Sequence, residues 1–281
     1  MTVLSISSRV ALGHIGNAGA GFCLQRLGHR VLPLDTTLLS NHLGYPRHGG
    51  RLLEATEVAA LLQGLEEAGA LGDIEAVMSG FLGRAADTAA DAVERVRARR
   101  PGALYALDPV LGEREGGLYV PPATAAAVAE RLLPMADLAF PNMFELDYLS
   151  GGEVGTLEGI LAATDRLRRR GRPNLVVVVT GLERDEQPAE TIQMLASTPD
   201  AAWLVSEKRR PLQAHGTGDC FAALFLGHYL NGRGDVAGAL QRSAGAMAAI
   251  VAATGDAAEL DLVAAQDRLA GMDGPEPVRL R

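Results

Sequence analysis

The sequence predicts an α/β fold in which a central, mostly parallel β-sheet carries helices on both faces. Short apolar runs alternate with helical patterns along the chain, as is typical of sheets built from strand–helix units. Polar residues directly follow most of the predicted strands, and in such folds ligands bind beyond the carboxyl ends of the strands. No Pro/Ser-rich linker divides the 281 residues. We therefore predict one domain over 1–281, with a loose tail over 273–281.

Each predicted strand is a short apolar run that ends in polar residues or a turn. These runs cover 3–7, 30–35, 74–79, 104–108, 138–140, 175–179, 192–196 and 202–205. The run at 175–179 is rich in β-branched residues, which indicates a central strand buried on both faces. The last two runs are separated by a Thr-Pro-Asp turn at 198–200 and predict a hairpin.

The predicted helices follow the spacing of apolar residues and the usual start and stop signals. They cover 18–27, 56–69, 87–100, 122–133, 145–149, 157–170, 217–230, 236–253 and 260–269. Asn17 and Thr56 are expected to cap two of them, and Pro101 to stop a third. Two polar, glycine-rich stretches at 36–50 and 113–119 are expected to be loops, and loops of that length are often functional.

Composition excludes several classes of protein. The formal net charge is −8 and the pI about 5.3, which argues against binding to nucleic acids or anionic membranes. The two cysteines lie far apart and predict neither a disulfide framework nor a metal site. The first residues lack a signal-peptide pattern, and the apolar run at 245–253 is too short to span a bilayer. These observations favour a cytoplasmic protein.

The most informative stretch is the Gly-Thr-Gly-Asp turn formed by Gly216, Thr217, Gly218 and Asp219, which opens a helical run. Glycines let the backbone approach a ligand closely, and a helix N-terminus attracts phosphate through its unpaired N–H groups and its dipole. A carboxylate beside a phosphate site is suited to take a proton from an attacking hydroxyl. We therefore expect a phosphotransferase with Asp219 as general base. The alternative is that Asp219 only caps its helix.

Other polar residues at strand ends fit a kinase site but also have simpler interpretations. Asp108 could lie near Mg²⁺ and phosphate oxygens, or could merely start an Asp-Pro turn. Asn142 and Glu145 could hold Mg²⁺ through water, or Asn142 could cap the next helix. His42, in a glycine-rich loop, could bind a substrate oxygen or could be solvated.

Taken together, these motifs resemble the pyridoxal kinases, the vitamin B6 branch of the ribokinase-like superfamily. The resemblance rests on the segments 13–17, 40–42, 108–112, 141–145, 210–212, 216–219 and 264–268, so it spans nearly the whole chain. It implies a three-layer α/β/α sandwich. It also implies transfer of the γ-phosphoryl of ATP to the 5′-hydroxymethyl of pyridoxal, giving pyridoxal 5′-phosphate.

The resemblance also implies roles for individual residues. Asp219 matches the catalytic base, and Gly216, Thr217 and Gly218 match the anion hole. Asp108 and Glu145 match the acids around Mg²⁺ and the ATP phosphates. The family positions that make further contacts with the nucleotide correspond to Thr180, Arg210, Pro211, Leu212 and Gln213. The family positions that line the pyridoxal pocket correspond to Ser8, His42, Leu43 and Phe81, together with Asp219. Family members usually form homodimers and use Mg²⁺ with a monovalent cation, K⁺ or Na⁺.

Several positions depart from the family pattern around the substrate ring. Leu43 stands where many members have threonine, Phe81 where many have tyrosine, and Arg9 where histidine is common. A buried site that loses a hydrogen-bonding partner changes its preference strongly. One alternative is therefore a kinase for a related heterocyclic alcohol such as hydroxymethylpyrimidine. The other is a non-catalytic B6-binding protein on a kinase scaffold.

Overall fold

A nine-stranded sheet forms the middle of the molecule in the computed structural model, which describes residues 1–182, 184 and 187–281. The described residues contain thirteen strands, nine in this sheet and four in two separate hairpins, β3–β4 and β7–β8. They are β1 (Thr2–Ser7), β2 (Arg30–Asp35), β3 (Thr37–Leu39), β4 (Gly50–Leu52), β5 (Ile74–Ser79), β6 (Leu104–Leu107), β7 (Gly112–Glu113), β8 (Gly117–Leu118), β9 (Leu138–Ala139), β10 (Val176–Leu182), β11 (Thr191–Ser197), β12 (Ala202–Lys208) and β13 (Val278–Arg279). The order in the large sheet is β13-β12-β11-β10-β9-β6-β5-β1-β2. Within this sheet the neighbours β2, β1, β5, β6, β9 and β10 pair in parallel, whereas β10, β11, β12 and β13 pair antiparallel.

Helices cover both faces of this sheet. They are α1 (Asn17–Arg26), α2 (Ala55–Glu67), α3 (Ala86–Arg99), α4 (Pro122–Ala127), α5 (Met143–Ser150), α6 (Leu157–Arg170), α7 (Thr217–Asn231), α8 (Val236–Thr254) and α9 (Leu262–Ala265). One hydrophobic core contains α2 to α6, and the other contains α1 and α7 to α9. The predicted three-layer α/β/α arrangement is confirmed.

The central strands supply both cores, because successive side chains of a strand point to opposite faces. Val177 and Val179 lie in the first core, and Val176 and Val178 lie in the second. All four are buried. The prediction of a strand buried on both faces is therefore confirmed for β10.

One helix among the described residues, α8, is long and apolar enough by length and composition to cross a membrane. It packs instead on α7 and on the sheet. Leu240, Ala246 and Ile250 are fully buried there. We therefore regard α8 as a core helix.

Two predicted helix caps are wrong. The N-cap of α1 is Gly16 rather than Asn17. The buried Asn17 side chain instead accepts from Ser5 Oγ (2.8 Å) and donates to Asp35 Oδ1 (2.7 Å). Helix α2 begins after Glu54 rather than Thr56, because Glu54 and Glu57 form a capping box.

The predicted loops and chain ends contain more structure than expected. The ends of the 36–50 stretch pair as a β3–β4 hairpin, leaving a loop over 40–49, and part of 113–119 pairs as β7–β8. The helix expected at 122–133 continues beyond α4 as one π-helical and one 3₁₀ segment. The expected loose tail includes β13, which pairs with the otherwise open edge of β12.

Candidate active site

The predicted site residues meet at the carboxyl ends of the parallel strands. Backbone hydrogen bonds align these ends: Gly80 N donates to Ile6 O (3.0 Å), Asp108 N to Ser79 O (2.9 Å) and Thr180 N to Pro141 O (3.2 Å). Each of these donors belongs to, or lies just beyond, a strand end. The positions of the side chains that follow are therefore set by the sheet.

The Gly-Thr-Gly-Asp turn opens α7, as the sequence indicates. Gly216 is the N-cap and has φ 96°, a conformation that favours glycine. A Cβ at this position would lie 2.5 Å from the carbonyl oxygen of His14. The turn can therefore lie against the 13–16 segment only with glycine there. The first N–H groups of α7 have no partner within the helix and can bind an anion.

Asp219 does not cap its helix. It lies in the first turn of α7, and no side chain makes the cap hydrogen bond. Its Oδ1 approaches Gly80, where an added Cβ would stand 3.5 Å away. Burial raises the pKa of Asp219 to about 6, although a hydrogen bond from the Gly16 backbone opposes part of that rise. The capping alternative is therefore wrong, and the carboxylate is available as a base near neutral pH.

Asp108 lies close enough to Glu145 and Asp219 for their charges to act on it, and we call these three residues the acidic cluster. Asp108 is 7% exposed and Glu145 is 2% exposed. Burial, followed by the charges of Glu145 and Asp219, raises the pKa of Asp108 well above its usual range. Burial also raises the pKa of Glu145 to about 7. A cation near Asp108 would offset the repulsion between these carboxylates and favour their ionised forms.

Glu145 has a second role, in the start of α5. Its Oε1 accepts from Leu111 N (2.7 Å) and its Oε2 from Asn142 N (3.0 Å), while Asn142 Oδ1 accepts from Glu145 N (2.9 Å). The interpretation of Asn142 as a helix cap is therefore confirmed. Each Glu145 oxygen therefore uses one of its two acceptor sites for a backbone N–H and keeps the other for a cation or a water molecule.

The acidic cluster fits Mg²⁺ but not a metal cage made of protein ligands. Among the residues that the structure describes, no group of three His, Cys, Asp or Glu side chains is arranged to hold a metal ion. Mg²⁺ commonly takes one or two carboxylates, completing its shell with water and substrate phosphates. Asp108 can supply the direct ligand.

Ser8 and Phe81 follow the ends of the neighbouring strands β1 and β5. Ser8 is buried, and its carbonyl oxygen accepts from Asn17 N (2.7 Å). Phe81 is half-buried; its N–H donates to Ser7 Oγ (3.1 Å) and its carbonyl oxygen accepts from Thr36 Oγ1 (2.7 Å). Hydrogen bonds thus hold both residues at the strand ends, and Phe81 directly follows Gly80, the residue that Asp219 Oδ1 approaches.

The loop over 40–49 brings His42 to the glycine turn. The centroid of its ring lies 4.5 Å from that of His215, the residue before Gly216, and 4.7 Å from that of Tyr45. Leu43 is 52% exposed. His42 is therefore close to the anion site, while the neighbouring Leu43 presents an apolar side chain to solvent.

The expected nucleotide residues are less closely grouped. Thr180 lies in β10 and bridges to Asn142, next to the acidic cluster. The 210–213 stretch runs as coil between β12 and α7, with Leu212 half-buried against the second core and Arg210, Pro211 and Gln213 exposed. The structure joins Thr180 to the acids but gives no contact between the 210–213 side chains and that cluster.

Sequence reasoning missed three side chains at the site. Tyr119 follows the β7–β8 hairpin, and its N–H donates to the carbonyl oxygen of Leu111 (3.0 Å), whose own N–H donates to Glu145. Tyr45 and Glu259 lie beside His42. Tyr45 directly follows Gly44, and Tyr119 lies two residues after Gly117, so an aromatic residue near a glycine in a polar stretch was the available signal. No sequence pattern around Glu259 indicates that it belongs to the site.

Comparisons with known proteins agree with this geometry. A family model described as phosphomethylpyrimidine kinase matches residues 52–256. The pyridoxal kinase PdxY of Leifsonia xyli subsp. xyli is 43% identical over 264 residues, covering 93% of this chain and 92% of its own. The protein of the same name from Rubrobacter xylanophilus is 43% identical over 283 residues, covering 99% and 97%.

Solved structures show the same similarity. The pyridoxal kinase from Leishmania donovani in complex with ADP and pyridoxamine has a TM-score of 0.91 at 28% identity and covers 100% of this chain and 99% of its own. The Entamoeba histolytica pyridoxal kinase, at 24% identity and a TM-score of 0.90, supports the fold. From the near-complete sequence matches and the shared ribokinase-like fold, the chain belongs to the pyridoxal kinase family.

Proposed function

We propose that this protein is an ATP-dependent pyridoxal kinase that forms pyridoxal 5′-phosphate. The observation that carries the proposal is Asp219, a carboxylate at a helix N-terminus that caps nothing and whose pKa burial raises to about 6. A simple binding protein has little use for such a group beside an anion site. A kinase needs it to accept the proton of the attacking hydroxyl.

In the proposed reaction the 5′-hydroxyl oxygen of pyridoxal attacks the γ-phosphorus of ATP. A new P–O bond forms, the bond from the γ-phosphorus to the β–γ bridging oxygen breaks, and ADP leaves. The hydroxyl proton passes to Asp219. The N–H groups of Gly216, Thr217 and Gly218 face the charge that develops on the transferring group. Such preorganised donors act most strongly where charge builds up in the transition state.

Asp108 and Glu145 would hold Mg²⁺, Asp108 directly and Glu145 through water. The cation supplies charge neutralisation on the phosphate oxygens. Before the metal binds, the raised pKa values of Asp108 and Glu145 favour protonated carboxyls, and these protons would be displaced when Mg²⁺ binds. We assign further nucleotide contacts to Thr180 and to the 210–213 stretch, and we include a monovalent cation, K⁺ or Na⁺, as a second activator.

We assign the pyridoxal ring to the space bounded by Ser8, His42, Leu43 and Phe81. Asp219 lies at one end of this space and the 40–49 loop at the other. We further propose that 1–281 acts as a single kinase domain, that two copies form a homodimer and that the protein works in the cytoplasm.

The test compares kcat/KM for pyridoxal, pyridoxine, pyridoxamine and hydroxymethylpyrimidine with ATP and Mg²⁺. The Asp219→Asn variant serves as the negative control for phosphate transfer. We expect pyridoxal to give the highest value. Tight pyridoxal binding without phosphate transfer to any of the four compounds would support the non-catalytic alternative.

The second candidate is a hydroxymethylpyrimidine kinase. It is favoured by the match of residues 52–256 to the phosphomethylpyrimidine kinase model and by the apolar Leu43 in the loop. In the same panel, a tenfold or larger preference for hydroxymethylpyrimidine over pyridoxal would establish this candidate in place of the first.

A further inference from the structure

Four polar side chains from distant parts of the chain meet beside the glycine turn. His42 and Tyr45 come from the 40–49 loop, His215 precedes Gly216, and Glu259 lies between α8 and α9. Tyr45 Oη donates to Glu259 Oε1 at 2.7 Å, and His42 Nε2 is 3.9 Å from the same oxygen. A single carboxylate thus contacts two side chains of the loop.

The second oxygen of Glu259 is buried. Oε2 has no hydrogen-bond partner among the described residues. It is directed at Gly13, where an added Cβ would lie only 1.8 Å away. A buried carboxylate oxygen without a donor is costly. Glu259 is therefore held in this position at a cost in stability, which points to a role in function.

The loop itself fixes the protonation pattern of His42. Gly44 N donates to His42 Nδ1 at 3.1 Å, so Nδ1 acts as the acceptor. In the neutral ring the proton is then on Nε2, which is the nitrogen nearest Glu259. Burial and the charge of His215 lower the pKa of His42, and Glu259 opposes them. The ring is accordingly kept neutral, with its N–H turned toward the carboxylate.

We propose that Glu259 is a positioning residue that anchors the 40–49 loop through Tyr45 and orients the ring of His42 beside the substrate. This inference rests on the proposed function, because the ring of the substrate is placed next to His42. The contact between His42 and His215 links the anchored loop to the residue before Gly216. Glu259 acts through these residues and not on the reacting atoms.

The test uses Glu259→Gln, Glu259→Leu and Tyr45→Phe. Glutamine keeps an acceptor for Tyr45 but loses the charge that faces His42, whereas leucine loses both. We expect Glu259→Leu to raise KM for pyridoxal about tenfold, which corresponds to about 1.4 kcal/mol. The value of kcat should stay within about twofold and KM for ATP should not change. Glu259→Gln and Tyr45→Phe should give smaller increases.

The matched control is Asp267→Asn, which removes a carboxylate from the same C-terminal region. Asp267 is strongly exposed and pairs with Arg26, so all three kinetic constants should stay at wild-type values. A parallel fall in kcat for every variant, or an unchanged KM for pyridoxal in Glu259→Leu, would overturn the proposal. If Glu259→Leu fails to fold, Tyr45→Phe and Glu259→Gln still decide the outcome.

A second measurement separates this inference from the proposed function. Amide hydrogen exchange of the 40–49 loop in the absence of substrates should become faster in Glu259→Leu and Tyr45→Phe, but not in Asp267→Asn. Unchanged exchange would refute the anchor even in an active kinase. A wild-type protein that phosphorylates no B6 vitamer would refute the proposed function. In that case amide hydrogen exchange of the 40–49 loop would still test whether Glu259 anchors the loop.

Discussion

The two ends of the site are built in different ways. The acidic end consists of Asp108, Glu145 and Asp219, which project from strand ends and helix starts. The loop end consists of His42, Leu43, Tyr45, His215 and Glu259, all outside regular elements. Tyr45 and Glu259 are 214 residues apart in the sequence. The sheet therefore fixes the positions of the acidic side chains. The positions of the loop-end side chains depend instead on contacts between irregular segments that are distant in the sequence.

This difference separates two functions of the enzyme. Side chains on rigid elements can hold the tight geometry that phosphoryl transfer needs. Loops tolerate substitution and insertion better than the elements they connect. We therefore expect the acidic end to control the rate of transfer for every acceptor, and the loop end to control which acceptor binds.

The largest effect should come from Asp219→Asn. Removing the proposed general base should lower kcat by about 10²- to 10⁴-fold for all accepted substrates while leaving ATP binding largely intact. Steady-state kinetics with the four-compound panel measures this. Near-normal turnover, or a loss confined to one substrate, would contradict the division between the two ends.

The same substitution should stabilise the protein. The fold raises the pKa of Asp219 from 3.8 to about 6, so ionisation opposes folding as the pH rises through that range. At pH 8 the asparagine variant should gain up to about 3 kcal/mol in free energy of unfolding, measurable by denaturant titration. The control is Asp235→Asn, a helix-start residue that does cap, accepting from Gly238 N (2.9 Å). It should change neither activity nor stability appreciably.

The acidic end could be predicted from the sequence because its signals are local. Asp108 and Asn142 each follow a strand directly, and Asp219 follows two glycines. The sheet then brings these positions together. Parallel topology and the two-sided burial of β10 could be predicted for the same reason, since alternation and β-branched runs are local patterns.

The loop end could not be predicted from the sequence beyond His42 and Leu43. The contact between Tyr45 and Glu259 depends on how the segment after α8 packs against a loop near the N-terminus, and no spacing rule describes that. The caps of α1 and α2 were missed because Asn17 is used in a buried network and two glutamates cap each other. Strand β13 was missed because a two-residue edge strand has no pattern of its own.

A smaller effect is expected from Glu145→Gln. The new amide would direct an N–H₂ group at one of two backbone donors, Leu111 N or Asn142 N, costing about 1–3 kcal/mol of stability. The lost charge should also weaken apparent Mg²⁺ affinity about tenfold, measured by titrating Mg²⁺ in the kinetic assay. Glu57→Gln is the matched control, because Glu57 holds the same place in the α2 capping box but lies in an exposed ion pair with Arg51 and not in the acidic cluster. It should affect stability only, and equal Mg²⁺ dependence in both variants would contradict our assignment.

The pH dependence should follow the acidic end. Because Asp219 must be ionised to accept a proton and its pKa is about 6, kcat/KM should fall as the pH drops below about 6, approaching tenfold per pH unit. Fluorescence over the same range would verify that the protein stays folded. A profile that remains flat down to pH 5 would exclude Asp219 as the base.

The smallest effect should come from Leu43→Thr at the loop end. Leu43 is half exposed, so a new hydroxyl near the ring should contribute only about 0.5–1 kcal/mol. KM for pyridoxal should fall two- to fivefold relative to hydroxymethylpyrimidine, with kcat unchanged. Leu38→Thr, an equally exposed leucine on β3, should alter neither constant. A change in kcat for Leu43→Thr would show that the two ends are not independent.

The switch from parallel to antiparallel strands after β10 has a practical consequence. Strand β11 runs away from the active-site edge and β12 returns to it, so the turn between them lies at the opposite edge of the sheet. Thr198 N donates to Ala201 O (2.8 Å) and closes this turn, while Pro199 and Asp200 remain exposed. A reporter peptide or surface tether inserted between Pro199 and Asp200 would therefore face away from both substrates, which makes this turn a suitable point for labelling or immobilising an active kinase.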